Sequence, residues 1–252
     1  MGTASEQIAY LSRSANRPRL LRSIADQPGT PSDLVERCSI SRATVQRIIA
    51  DFENYGWVIK NNGKYGLTAA GSLILETYEE TITKIDQIIE TKPVLRQFSS
   101  GNEPPVRPLS QSDIVVASDD QPHAPVFHYR KQLTCRTIEA QYIVDPIANP
   151  TFDEIHHDLY EECQSVTVIL NSNFETSIEN SGWLVDVSPE EMYVYPGKLS
   201  VGLVISEDDV LTIFYDEDWS VKVCVDSTNK NVVRWFTLYM MEKKADAKRL
   251  SK

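Results

Sequence analysis

The chain has 252 residues, of which 41% are hydrophobic, and sets 25 Lys and Arg against 36 Asp and Glu for a net charge of −11. That is length enough for two small cores, since domains usually run about 100–150 residues. No apolar run approaches the roughly 18 residues a membrane span needs, and the opening MGTASEQIAYL lacks a basic stretch followed by an apolar one, so the expectation is a cytoplasmic protein with no signal peptide and no membrane partner.

The charge is unevenly spread. Residues 1–68 hold nine Lys and Arg against six Asp and Glu, a net of +3, while residues 69–252 hold sixteen against thirty, a net of −14. A local excess of positive charge, not the whole-chain value, makes an electrostatic footprint for nucleic acid. The acidic remainder repels DNA and confines any contact to the N-terminal part.

In chain order, Ser5 to Arg13 reads as a short helix, with Ile8 and Leu11 closing over a core. Arg17 to Gln27 follows with an apolar stripe of Leu20, Leu21 and Ile24. Pro28-Gly29 makes a turn, and Thr30-Pro31 reads as an N-cap followed by proline at the first helical position. The helix from Pro31 to Arg37 turns Leu34 and Val35 inward, and Cys38-Ser39-Ile40 leads to the next one. There Ser41 is a natural N-cap, and Val45, Ile48, Ile49 and Phe52 recur at steps of three and four. The other side carries Arg42, Thr44, Gln46 and Arg47, side chains able to hydrogen-bond base edges or phosphates. Gly56 suits a left-handed helix end. Trp57 to Lys60 and Lys64 to Leu67 then form two short strands around Asn61-Asn62-Gly63, a hairpin signal. Two short helices, a recognition helix and a hairpin wing give a winged helix-turn-helix.

Thr68 can cap a long helix from about Ala69 to Glu90. Leu75, Tyr78, Ile82, Ile85 and Ile89 alternate at steps of three and four, an a/d seam of about two heptads. The seam reads as a homodimer contact, because symmetric operators call for symmetric proteins. The alternative is a face packed on the second domain. Residues 99–111 are rich in Ser, Pro and Gly and mark an irregular crossing. The expected domains are a winged helix over 1–68, a connecting and dimerisation helix over 69–91, a linker over 92–112, and an α/β sensor or regulatory domain over 113–252.

Within the last of these, strands are expected over Ile114 to Ala117, Glu139 to Val144, Val166 to Leu170, Trp183 to Val187, Met192 to Tyr195, Val201 to Ile205, Val210 to Tyr215 and Val221 to Val225. Helices are expected over Pro122 to Thr134, Thr151 to Cys163, Phe174 to Glu179, and Val232 to about Leu250. Early alternation of strand and helix argues for a partly parallel, helix-covered sheet, and the later hairpins for antiparallel strands at one side. The fold class is therefore α/β with two domains and a mixed sheet in the second.

The run Ser14-Ala15-Asn16-Arg17, the phrase ISRATVQRIIADFENYGWV and the YGLTAAG after the wing resemble the winged-helix half of archaeal, particularly haloarchaeal, transcription regulators. APVFHYRKQLTCRTIEAQYIV, LSVGLVISEDDVLTIFYDED and VRWFTLYMMEKKADAKRL are similar to the middle domain of a methanogenesis regulatory protein. The resemblance implies a DNA-binding regulator with an attached domain that binds an effector or mediates assembly. It carries over no ligand residue.

No catalytic constellation, metal cluster or cofactor loop stands out. There is no Gly-rich phosphate loop and no nucleophile elbow, and His128-Tyr129-Arg130 lacks the lysine of a His-x-Lys motif. Adjacent His156 and His157 point about 100° apart on a helix and read as solvent-facing. Cys38, Cys135, Cys163 and Cys224 form no CxxC pair and read as small buried apolar residues, although oxidation of Cys38 beside the recognition helix would affect its setting. Strand ends suggest Asp145, Asn171, Asn173 or Tyr195 for a sensor site.

The expected function is sequence-specific binding of double-stranded DNA by a dimeric transcription regulator responding to an effector of unidentified chemistry, with no enzymatic activity. Arg42, Thr44, Gln46 and Arg47 enter the major groove, Ser41, Thr30, Arg17 and Arg19 hold the backbone, and Lys60, Asn61, Asn62 and Lys64 form the wing. The alternative is a winged-helix protein–protein interaction module.

Overall fold

A computed structural model describes residues 3–136, 139–146, 150–163, 166–172, 187–188 and 191–250. The helix expected over Phe174 to Glu179, the strand from Trp183 except its last residue, and Asn173 lie outside the described residues. The chain divides into two compact units, Met1–Asp86 and Gln87–Lys252.

The first unit opens with helices α1 (Ala4–Ser12), α2 (Asn16–Asp26), α3 (Pro31–Cys38) and α4 (Arg42–Asn54). Side chains supply the caps that orphan helical amides require. Thr3 with Glu6 and Thr30 with Asp33 form complete capping boxes, and Ser41 accepts from the Thr44 amide. The hairpin β1 (Val58–Asn61) and β2 (Lys64–Leu67) turns on Asn62 and Gly63, whose φ values of 50° and 78° match the left-handed pair of a two-residue turn. Tyr65 exchanges both backbone hydrogen bonds with Gly29, at 2.8 and 3.1 Å, which pins the wing to the turn before α3.

The core of this unit takes Leu20, Leu21 and Ile24 from α2, Leu34 from α3, and Val45, Ile48, Ile49 and Phe52 from α4. Helix α5 (Ala69–Leu95) begins against it. Its start is close: a Cβ on Gly71 would lie 2.0 Å from the Trp57 carbonyl oxygen. Leu75, expected in the dimer seam, is therefore inside this core at 3% exposure, and Tyr78 packs against it. Ile82, Ile85 and Ile89 stay exposed at 39, 47 and 62%.

The helix runs past the expected end near Glu90, through Pro93, because Thr91 and Val94 are buried, with Val94 in the core of the second unit. That unit continues with α6 (Val106–Leu109), a single turn inside the expected linker whose Leu109 is buried. It then has β3 (Asp113–Val116), α7 (Ala124–Cys135), β4 (Tyr142–Asp145), α8 (Pro150–Glu162), β5 (Thr167–Asn171), β6 (Met192–Tyr195), β7 (Val201–Ile205), β8 (Val210–Tyr215), β9 (Val221–Ser227), α9 (Lys230–Asp246) and β10 (Lys248–Arg249). The eight strands lie in the order β10-β6-β5-β4-β7-β8-β9-β3, with β4, β5 and β6 parallel to one another and the other pairs antiparallel. The mixed sheet follows the expectation.

Both faces of the sheet are covered. Tyr129, Leu133, Phe152 and Leu159 of α7 and α8 pack on one side, and Val232, Phe236 and Met240 of α9 on the other. Along β8, Leu211, Ile213 and Tyr215 face the first set, while Val210 and Phe214 face the second. Covered on both faces, β7 and β8 are buried at every position, which is why they read as continuous apolar runs. Helix α9 stops at Asp246, short of the expected Leu250, because Ala247 turns extended and Lys248 and Arg249 pair with β6.

Candidate nucleic-acid interface

The recognition helix is held from behind by aromatic packing. The Tyr10 hydroxyl donates to Asp51 of α4 at 2.7 Å, and its ring meets Phe52, Tyr55 and Trp57 with centroids 5.2 to 6.3 Å away. Burial, then the neighbouring Asp51 carboxylate, pushes the Tyr10 hydroxyl's pKa well up, so it stays a donor. Val45, Ile48, Ile49 and Phe52 anchor the inner side of α4, leaving Arg42, Ala43, Gln46, Arg47 and Ala50 exposed. No hydrogen bond or ion pair engages the side chains of Arg42, Gln46 or Arg47 among the described residues, so their donors face outward. Thr44 differs from the expectation of a base-reading residue. It is half-buried, and its hydroxyl sits 2.8 Å from that of Ser41, so the two satisfy each other at the helix start.

The backbone-contact set also divides. The Arg17 guanidinium lies 3.9 Å from the centre of the Tyr10 ring and donates to the Tyr10 carbonyl at 2.5 Å. Arg17, expected on phosphate, thus also ties α2 to α1 and is half-buried. Thr30 is engaged with Asp33, and that hydrogen bonding pulls the Asp33 carboxyl below its ordinary 3.8. Arg19, Lys60, Asn61, Asn62 and Lys64 are exposed, the last four at the hairpin tip, with the Lys60 ammonium 5.5 Å from the Tyr65 ring centre.

In the second unit, Asn171 makes three hydrogen bonds to the backbone: its nitrogen donates to the Pro146 and Leu199 carbonyls at 3.0 Å each, and its oxygen accepts from the Leu199 amide at 2.7 Å. It staples the chain at Pro146 to that at Leu199, with both of its N–H donors engaged. Asp145 ends β4, and Tyr195 ends β6 beneath Lys243, 5.6 Å from the ring centre. His156 is buried, not solvent-facing, with Nε2 3.0 Å from the Tyr129 hydroxyl. Of the cysteines expected inside, Cys38 and Cys224 are buried, Cys163 is half-buried and Cys135 is exposed. No group of three metal-ligating side chains occurs among the described residues, and no helix among them is long and apolar enough to cross a membrane.

Residues 5–88, which hold the recognition helix and the wing, match the HVO_A0261 N-terminal domain family. Residues 122–238 match the middle domain of the methanogenesis regulatory protein FilR1. The chain thus resembles an HVO_A0261 N-terminal domain followed by a FilR1 middle domain. No curated protein matches it. Among solved structures, TrmBL2, an archaeal chromatin protein described as showing a novel mode of DNA binding, aligns over 98% of this chain and 100% of its own at 13% identity and a TM-score of 0.40. The reduced form of MarR from E. coli aligns over 51% and 80% at 19% identity and a TM-score of 0.31. HmgR from Pseudomonas aeruginosa aligns over 91% and 96% at 8% identity and a TM-score of 0.27. Likeness this slight adds nothing to the assignment, which rests on the two domain families.

Three features of these domains escaped the sequence. In the HVO_A0261 domain, Arg37 donates from Nη1 to the Ser23 and Gln27 carbonyls at 3.0 and 2.7 Å and closes the end of α2. Ala43 and Ala50 lie on the outward face of α4, a placement that counting from Val45 would have found. In the FilR1 domain, Arg136 meets the buried Asp226 carboxylate. His128 Nε2 lies 3.6 Å from the same carboxylate and has no hydrogen-bond partner among the described residues. These residues are far apart in sequence, and no local pattern links them.

Proposed function

We propose that this protein is a DNA-binding transcription regulator. Its HVO_A0261 domain reads double-stranded DNA, and its FilR1 domain governs that binding. The observation that carries the proposal is the outward projection of Gln46 and Arg47, unpaired, from a capped helix whose other side is locked into a core and whose flank bears a Lys-tipped hairpin. Arginine pairs with guanine and glutamine with adenine in the major groove, and Lys60, Lys64 and Arg19 supply charge for phosphates. The net charge of +3 over residues 1–68 stands against −14 over the rest and keeps nucleic acid on this domain.

The regulator acts as a homodimer whose subunits meet along the exposed isoleucines of α5, giving two recognition helices for two half-sites. The FilR1 domain takes the regulatory signal, an effector or a partner, and this reading assigns it no catalytic step. The test is fluorescence anisotropy with labelled genomic fragments across a potassium chloride series. Affinity should fall steeply and linearly in log–log form, as displaced counterions require. A flat dependence, or no binding at low salt, would favour the protein–protein module instead.

A further inference from the structure

The centre of the exposed face of α4 is occupied by an alanine, and it sits in the first turn. At about 100° per residue, the buried Val45, Ile48, Ile49 and Phe52 define an inward direction. Ala43 and Arg47 lie within about 30° of its opposite, Gln46 lies about 70° away, and Arg42 and Thr44 fall about 90° or more to either side. The exposures agree: Ala43, Gln46 and Arg47 are open, and Thr44 is half-buried against Ser41. In a helix-turn-helix the N-terminal residues of the recognition helix come nearest the base edges. Here the outermost residue at that end has a single methyl group and no hydrogen-bonding atom in its side chain.

We infer that Ala43 is a specificity-determining residue, packing its methyl group on the C5-methyl of a thymine that neighbours the base pairs read by Gln46 and Arg47. This rests on the DNA-binding reading above. The only distinct apolar group in the major groove is the thymine methyl, and alanine is a side chain that meets it. A polar base edge opposite Ala43 would lose its hydrogen bond to water and gain none, which disfavours cytosine, adenine and guanine there. The small side chain has a second effect: it lets the helix backbone seat close to the bases, within reach of the longer Gln46 and Arg47. Arg42, on the flank, is aimed at the phosphates instead.

The test begins by selecting bound duplexes from a random synthetic pool with the full-length protein. If no consensus emerges, the DNA-reading hypothesis itself fails, and this inference with it. Once a consensus is in hand, each thymine is replaced singly by deoxyuridine, which removes only the methyl. One position per half-site should then weaken wild-type binding about fourfold, the equivalent of roughly 0.8 kcal/mol for one buried carbon. Ala43→Gly should bind thymine and uracil operators alike, with circular dichroism checking its helix content, while Arg42→Ala should bind both more weakly and still prefer thymine. A consensus indifferent to uracil at every thymine, or a preference of full size in Ala43→Gly, would overturn the assignment while leaving DNA binding intact.

Discussion

Arg136 grips Asp226 with both prongs of its guanidinium, Nη1 to Oδ1 at 2.8 Å and Nη2 to Oδ2 at 2.7 Å, and so ties the end of α7 to β9. The Asp226 side chain is 3% exposed and that of Arg136 is 32% exposed, so only the carboxylate is fully removed from water. The hydrogen bond to Asp226 is the main reason the arginine's pKa is raised. A raised value means that the arginine's contribution to stability is present below the ordinary arginine range and is lost only above it. Breaking one side of a buried pair costs more than removing both. Arg136→Ala should destabilise the second unit by about 3 kcal/mol, while Arg136→Met with Asp226→Leu should recover most of that loss. Urea unfolding of the three proteins measures both values.

Gly71 offers an inverted test of helix propensity. Alanine normally stabilises a helix interior by about 1 kcal/mol relative to glycine. Here the added carbon would lie 2.0 Å from the Trp57 carbonyl oxygen, a backbone atom that cannot turn aside. Gly71→Ala should therefore destabilise the winged-helix unit by about 1–3 kcal/mol, seen as a lower midpoint in tryptophan-monitored unfolding.

The capping box at α3 predicts an acid response. Hydrogen bonds from Thr30 hold the Asp33 carboxyl below its ordinary 3.8. For a depressed carboxylate the stabilisation exists above the unfolded value and vanishes as pH falls through the folded one. Thermal melts should show Asp33→Ala less stable than the native chain at neutral pH. The gap should close below about pH 4 as the native carboxylate takes up its proton.

The two classes of proposed DNA contact should separate by salt. Arg47→Ala should cost about 1–3 kcal/mol on the preferred operator and relax one base position. Lys64→Ala should weaken all sequences evenly and lower the salt slope by about one. Anisotropy on operator and scrambled duplexes at several salt concentrations measures both.

The proposed homodimer can be tested on α5. Ile82→Lys with Ile85→Lys places charge on exposed positions outside either core and should leave the fold intact. Sedimentation should show a dimer becoming a monomer, with operator affinity falling as the second half-site is lost. Leu75, inside the core, is not part of this test.

How much was legible from the residues depended on the range of the forces. The winged helix could be read in advance because local chemistry writes it: Ser41 and Thr30 cap, Asn62 and Gly63 accept left-handed angles, and Val45, Ile48, Ile49 and Phe52 repeat with the helical period. The covered strands of the second unit were legible for the same reason, as apolar runs between turns. What the residues alone decided was therefore which segments are helix or strand and which side of each is greasy.

Only the tertiary structure decided the setting of Arg17, which looked available for DNA and is engaged by Tyr10 of the preceding helix. The pairs Thr30–Asp33 and Ser41–Thr44, by contrast, are local caps that span three residues. Leu75 joined a core, since the close approach at Gly71 lays the start of α5 against Trp57. The Arg136–Asp226 pair and the strand Lys248–Arg249 depend on partners 90 and more than 50 residues away. Local periodicity holds no record of such pairings, because it is the closing of the chain that brings them within hydrogen-bonding distance.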